Sequence, residues 1–379
     1  MRRACIAPRF QRTFAICTDD GVPHGAVDIR AESASVAVRN IAGGYLKKAR
    51  VAAQQARKPL LWVRDVTHFS GQGGESVEIL RDTDIDRVPI HAFFAAISEY
   101  VAADFQGRAT SLPRQSANFP SGKVVFTTGG FGHLAGFRAY ETFDSDDRLG
   151  QEQIVAVWDT RTCLLKGLNL GSRLGAIRTG VLGGIAVDAL APASASICAL
   201  IGTGLQAETQ LLGILVRRRL AEVRVYSRQK MRRDQFVERM KAATPARMVA
   251  TDNPEDAAAY ADIVVLATDS ETPVVDAAAL ENAAHITTVG PKFRGAHELP
   301  LDAVADQLIV SDSPQQIRDQ GQRHMLFEHP CLHGLRHLGE VLSIGRPPEP
   351  RRSLYLSAGL AGTEVVALDT ALEYRRGQT

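Results

Sequence analysis

Cysteine is scarce and scattered in this chain. Five thiols, Cys5, Cys17, Cys163, Cys198 and Cys331, are spread over 379 residues. None forms a C-x-x-C pair, which argues against a structural zinc site and leaves reduced thiols as the expectation. Neither sign of charge is in excess. A net charge of +2 provides no electrostatic case for nucleic acid or for an acidic partner. No apolar run reaches the roughly 18 residues needed to span a membrane. The first residues lack the apolar stretch of a signal peptide. What is present is ordinary globular composition, 45% hydrophobic and 23% charged, in a chain long enough for two domains and a sizeable core. A cytoplasmic enzyme acting on a small molecule is the default expectation.

Residues 1–74 differ from the rest. From Met1 to Ser70 there are 12 Lys/Arg against 5 Asp/Glu, and periodicity is weak apart from a candidate helix over 36–57. The segment ends at the turn signal Gly71-Gln72-Gly73-Gly74. It reads as an appended extension, partly disordered or lying upstream of the true start. Beyond it, strands are expected at 77–80, 124–128, 137–143 and 154–159, and helices at 90–105 and 177–190. From residue 196 the pattern alternates strand and helix, with strands at 197–201, 223–226, 263–267, 285–289 and 307–310. Such alternation predicts a parallel sheet with right-handed crossovers. The chain becomes irregular after Gly321 and closes with a helix over 362–375. The fold class expected is α/β: a Rossmann-like domain, 196–321, inserted into a split α+β domain, 75–195 plus 322–379.

The strongest local signal is Ile197-Cys198-Ala199-Leu200-Ile201-Gly202-Thr203-Gly204-Leu205-Gln206-Ala207. An apolar strand runs into a G-x-G-x-x-A turn that opens a helix. Gly202 permits the tight turn, Gly204 lets the backbone approach a pyrophosphate, and Ala207 keeps the helix close to the strand. Gly202, Thr203, Gly204, Leu205, Gln206 and Ala207 are therefore candidate dinucleotide ligands. A ligand-free tight turn is the alternative.

The end of the next strand selects the cofactor. An Asp or Glu there binds the 2′-hydroxyl of NAD. This chain has Tyr226-Ser227-Arg228-Gln229-Lys230. A hydroxyl followed by cations suits a 2′-phosphate, so NADP is favoured over NAD, with Ser227, Arg228 and Lys230 as its ligands. Otherwise these cations are solvated surface charges.

Three arginines stand out by context: Arg114 after Pro113, Arg138 in Gly136-Phe137-Arg138-Ala139-Tyr140, and Arg178 in Leu174-Gly175-Ala176-Ile177-Arg178-Thr179-Gly180. An Arg fork binds a carboxylate through two parallel hydrogen bonds. Read singly, each is more simply a surface residue. In order along the chain, these pieces are joined by the Gly202–Ala207 turn, Ala261-Asp262-Ile263-Val264-Val265-Leu266-Ala267-Thr268, Val289-Gly290-Pro291-Lys292 with Glu298-Leu299, and Ser357-Ala358-Gly359-Leu360-Ala361. From about Glu75 to Gly377 the ordered set resembles the ornithine cyclodeaminase/μ-crystallin family.

The resemblance implies a homodimer and hydride transfer at the α-carbon of an amino or imino acid. It implies that Arg114 and Arg178 hold the substrate carboxylate, which fixes the α-carbon against the nicotinamide. It also implies that Thr179, Ala267, Thr268, Gly290, the 357–361 segment and Glu364 border the cofactor. Two departures matter. The family usually has Lys at Arg138, and Arg binds a carboxylate but is a poor acid–base group. Cyclodeaminases place an Asp where this chain has Lys292, which would repel a diamino acid. Lys292 is left with three roles: holding a second carboxylate, acting as an acid–base group depressed by neighbouring cations, or pointing to solvent. Arg138 and Lys292 are thus the candidate catalytic pair, with Arg138 also a substrate ligand. His133, His285 and His297 lack metal-ligand spacing and stay outside the catalytic set. An NAD(P)-dependent dehydrogenase or ketimine reductase is the leading expectation. A cyclodeaminase and a non-catalytic crystallin-like binder are the alternatives.

Overall fold

Residues 77–144 and 152–377 are described by the computed structural model, together with two N-terminal strands. The chain divides into two units, Met1–Phe69 and Ser70–Thr379. In the first, β1 (Phe10–Cys17) and β2 (Pro23–Ala31) pair antiparallel, with Phe10 opposite Ala31. Sequence periodicity missed both strands, and the helix expected at 36–57 lies outside the described residues.

The second unit begins with β3 (Glu78–Arg81), a short α1 (Asp82–Ile85) and α2 (Ile90–Phe105). Then come β4 (Ala109–Ser111), β5 (Gln115–Phe119), β6 (Gly122–Phe131), β7 (Leu134–Glu141), β8 (Gln153–Asp159) and β9 (Leu164–Leu170). Among the described residues these strands form one sheet in the order β3-β9-β8-β7-β6-β4, with β5 also on β6. All its pairs are antiparallel except β3 with β9. Burial alternates along β6: Val125 and Thr127 face inward, Phe126 and Thr128 outward. Such alternation marks a sheet packed on one face.

Next is α3 (Arg173–Leu190), which starts four residues before the expected Ile177 and is buried along nearly its whole length. A helix buried on every side belongs between layers rather than on a surface. Its small residues let α4 (Leu205–Leu215) approach closely: a Cβ on Gly184 would strike the Gly213 carbonyl.

The cofactor-type sheet follows. Its elements are β10 (Ile197–Ile201), β11 (Glu222–Tyr226), α5 (Lys230–Met240), β12 (Arg247–Ala250), α6 (Pro254–Ala258), β13 (Ile263–Leu266) and β14 (His285–Thr288). A two-stranded hairpin, β15 (Lys292–Phe293) with β16 (Ala296–His297), precedes β17 (Gln307–Ser311) and α7 (Pro314–Asp319). The chain continues through β18 (Arg336–His337), α8 (Leu338–Ile344), β19 (Arg352–Leu356) and α9 (Thr363–Arg376). The order is β12-β11-β10-β13-β14-β19-β17-β18, all parallel. Strands β13, β14 and β17 are buried throughout, as expected of strands covered on both faces.

The expected boundary at Gly321 needs correction. Strands β18 and β19 lie beyond it, yet both join the parallel sheet, and β19 inserts between β14 and β17. Leu354, Tyr355 and Leu356 are fully buried there. The reason is backbone satisfaction: β19 supplies hydrogen-bond partners to two strands whose facing edges would otherwise be unpaired. Only α9 returns to the antiparallel sheet, burying Val365, Leu368, Ala371 and Leu372 in its core. No helix among the described residues is long and apolar enough to cross a membrane.

Candidate functional site

The turn after β10 adopts the geometry its glycines allow. Gly202 has φ of +124°, and a Cβ there would collide with the Ala267 carbonyl. Gly204 begins α4 and has no atom within 4 Å on its Cβ side. Its backbone therefore faces open space at a helix N-terminus, where N–H groups attract an anion. Ala207 is fully buried beneath the turn. The space is a cleft of about 600 Å³. It is bordered by Thr179, Gly202, Thr203, Gly204, Leu205, Gln206, Ser227, Arg228, Ala267, Thr268 and Gly290. A dinucleotide fits these residues: the turn would hold its pyrophosphate, and the ends of β13 and β14 its nicotinamide half.

At the ribose end the candidates separate. Arg228 lines the cleft, whereas Lys230 pairs with Asp234 at 2.6 Å on the exposed side of α5 and does not line it. Arg232, which sequence reading missed, takes its place in the lining. Neither Arg228 nor Arg232 has an ion-pair partner among the described residues. Arg233 is turned inward and holds the Ser227 carbonyl at 2.8 Å and Asp252 at 2.5 Å.

The floor at the β13 and β14 ends is organised by Glu298. This buried carboxylate accepts from Thr268 N and Oγ1, both at 2.8 Å, and from Thr288 Oγ1 at 2.8 Å. It also accepts from Val289 N at 3.1 Å and Gly290 N at 2.6 Å. One side chain thus ties together two loops that border the cleft.

The three arginines converge. Arg138 and Arg178 are 9% and 5% exposed; Arg138 donates to Glu364 Oε1 at 3.1 Å, and Arg178 Nη2 forms an ion pair with the same oxygen at 2.9 Å. Arg138 also donates to Gln153 Oε1 at 2.8 Å and lies over the Tyr140 ring, 4.2 Å from its centroid. Arg114 donates to the Ala358 carbonyl at 3.3 Å. Gly359, at φ of +85°, brings Arg114 and Arg178 together. A Cβ at that position would lie 3.2 Å from both Arg178 Nη atoms and 3.4 Å from Arg114 Nη2. Arg178 Nε and Nη1 are buried without a hydrogen-bond partner among the described residues. Burial pushes the Glu364 pKa up, but the guanidiniums of Arg178 and Arg138 outweigh it and hold the carboxyl below its ordinary value. Burial also lowers the Arg138 pKa, against the pull of Glu364.

Lys292 is not turned to solvent. It is 8% exposed, and its Nζ donates to the Gly290 carbonyl at 2.7 Å. Burial pulls its pKa down to about 8, against Glu298 and Asp312, which favour the ammonium. The expected cause, neighbouring cations, is therefore replaced by desolvation. His285 is fully buried on β14 between Ser353 Oγ at 2.9 Å and Thr287 Oγ1 at 3.0 Å, and burial drops its pKa to about 3. His297 bonds the Leu299 carbonyl at 2.8 Å. Both are held within the fold.

Fold and cleft together define an α/β unit of the dinucleotide-binding type, with Arg138 of β7 and Arg178 of α3 in the cleft lining and Arg114 close to Arg178 at Gly359. The sequence profile of the ornithine cyclodeaminase/mu-crystallin family matches residues 83–377, and the chain belongs to this family. It is 30% identical over 200 residues to an uncharacterised cyclodeaminase of Sinorhizobium fredii, a match covering 52% of this chain but only 60% of that protein. It is 30% identical over 285 residues to an NAD(P)H-dependent anabolic L-arginine dehydrogenase of Pseudomonas aeruginosa, covering 72% and 88% of the two chains. Among solved structures, Thermococcus litoralis Δ1-pyrroline-2-carboxylate reductase with NADH and L-proline superposes with a TM-score of 0.72 at 21% identity. That match covers 80% of this chain and 98% of the other.

Proposed function

We propose that the chain is an NAD(P)H-dependent oxidoreductase that transfers hydride at the α-carbon of an imino or amino acid. The observation that carries this reading is Arg178. Its buried Nε and Nη1 lack an acceptor among the described residues, and it faces Arg114 across the bare Gly359. Arg178 also lines the same cleft as the Gly202–Gly204 turn. A buried donor without an acceptor is costly, and a ligand carboxylate satisfies it. A bound nicotinamide supplies the hydride. Arg114 and Arg178 hold the substrate carboxylate, while Arg138 contributes its charge and, through Glu364, orients Arg178. The protonated Lys292, which stands behind Gly290 and not in the cleft lining itself, is the proton source of this reading.

NADP is the favoured cofactor. No acidic residue ends β11, and Arg228 and Arg232 border the cleft with Ser227. A homodimer is the favoured assembly, because the outer face of the antiparallel sheet exposes Phe126 and Ile154, 39% and 43% exposed, beside the paired rings of Phe137 and Trp158. A cytoplasmic setting agrees with the free thiols of Cys163, Cys198 and Cys331.

The test is spectrophotometric. NADPH is mixed with 1-pyrroline-2-carboxylate, and separately with keto acid and amine mixtures, and absorbance is followed at 340 nm. Stoichiometric loss of NADPH supports the reading. Ammonia release from ornithine without net absorbance change indicates a cyclodeaminase instead, and the buried Lys292 cation counts against that outcome. NADPH binding with no turnover across the panel leaves a binding protein.

A further inference from the structure

Asp312 directly follows β17 and is fully buried. No ion pair reaches it among the described residues. Its carboxylate accepts three successive backbone N–H groups instead: Ala358 N at 2.7 Å on Oδ1, then Gly359 N at 2.8 Å and Leu360 N at 2.7 Å on Oδ2. Strands β17 and β19 run parallel with Ser311 opposite Leu356. The two chains therefore leave the sheet side by side, and the loop after β19 folds over the residue after β17. Gln316 of α7 holds the Gly359 carbonyl at 2.9 Å.

That loop touches both arginines of the carboxylate seat. Ala358 presents its carbonyl to Arg114, and Gly359 presents its bare α-carbon to Arg178 and Arg114. A buried carboxylate is expensive unless its lone pairs are filled. Here the three backbone partners lie on the loop that shapes the site, and the Ser311 hydroxyl of β17 adds a long bond to Oδ1 at 3.5 Å. We propose that Asp312 is a positioning residue for the substrate carboxylate: by fixing the Ala358 carbonyl and the Gly359 face, it aligns Arg114 with Arg178 and links the cofactor sheet to the substrate seat. This rests on the proposed role of those two arginines.

Asp312→Asn keeps the side chain's size but turns one acceptor oxygen into an N–H donor facing another donor. Calorimetry on the NADP+-saturated protein, with L-proline, L-alanine and L-arginine as probes, compares wild type, Asp312→Asn, Arg114→Ala and the double variant. Dinucleotide affinity is followed by NADPH fluorescence. The expected result is at least a tenfold weaker Kd for the bound amino acid in Asp312→Asn, with NADPH Kd within twofold of wild type. In the Arg114→Ala background the Asp312 substitution should then add little, because its effect passes through Arg114. If Asp312→Asn does not fold, Asp312→Glu, which keeps the charge but displaces it, enters the same cycle. An unchanged amino-acid Kd, additive effects in the cycle, or equal weakening of NADPH each overturns the assignment. Wild-type protein that binds NADPH but none of the three amino acids overturns the functional reading together with it.

Discussion

Arg178 Nη2 pairs with Glu364 Oε1 at 2.9 Å, while its buried Nη1 and Nε have no hydrogen-bond partner among the described residues. Glu364 therefore orients Arg178 through Nη2 and leaves Nε and Nη1 for the proposed ligand. Because Arg138 donates to the same oxygen, one carboxylate balances two guanidiniums and leaves net positive charge in the seat.

Glu364→Gln removes that balance. Two buried cations then share a neutral acceptor, and breaking a buried pair of this kind costs roughly 3–5 kcal/mol. Its pKa is held below the unfolded value of about 4.3, so its contribution to stability is present above that pH and is lost as pH falls through the folded value. Melting temperatures of wild type and Glu364→Gln should differ by a constant amount from pH 8 to 5, as rough bounds, and converge below about pH 4. A gap that widens on acidification contradicts the assignment.

Lys292 makes a prediction of the same sign in a more alkaline window. Its folded pKa of about 8 lies below the unfolded value of about 10.4, so the unfolded chain binds more protons between the two. Wild-type stability relative to Lys292→Met should therefore rise with pH across that window. In catalysis, kcat for imine reduction should decline above about pH 8 as the ammonium is lost. Lys292→Ala should lower kcat by about 10²–10⁴-fold and flatten the profile. Unchanged turnover in that variant removes Lys292 from the mechanism.

The two turn glycines should respond differently. Gly202→Val places a side chain against the Ala267 carbonyl at a positive φ, so folding and dinucleotide binding are both expected to suffer. A Cβ at Gly204 meets no described protein atom within 4 Å, so Gly204→Asp begins in open space. It should melt close to wild type yet bind NADPH at least tenfold more weakly, because its carboxylate enters the phosphate seat. Fluorescence titration and calorimetry in parallel separate the two effects.

Cofactor choice should track Arg228 and Arg232, not Lys230. Alanine at either arginine is expected to raise the Kd for NADPH about tenfold or more, consistent with charge-assisted bonds of roughly 1.5–3 kcal/mol, and to leave NADH nearly unaffected. Lys230→Ala should change neither. Equal NADPH and NADH affinity in wild type would refute the NADP preference.

The exposed face of the antiparallel sheet predicts assembly. Ile154→Asp and Phe126→Asp should convert a dimer to a monomer in sedimentation without loss of secondary structure. A wild-type monomer at micromolar concentration excludes that face as an interface.

Some of this was determined by the sequence alone. The strand, glycine turn and helix at 197–207 are a local matter, set by which residues tolerate a positive φ and a close backbone approach, so the dinucleotide cleft was legible. The three arginines were legible through short motifs. Tertiary structure decided the rest. Whether Lys230 or Arg232 faces the cleft depends on the orientation of α5 against the sheet, which spacing does not reveal. Lys292 was ambiguous because burial is a property of distant neighbours, here the elements carrying Glu298 and Asp312. The Gly321 boundary failed because β19, a short apolar run far along the chain, finds its partners in β14 and β17. Asp312 carried no motif at all: three N–H groups 46 to 48 residues away define its role, and only the folded chain brings them to one carboxylate.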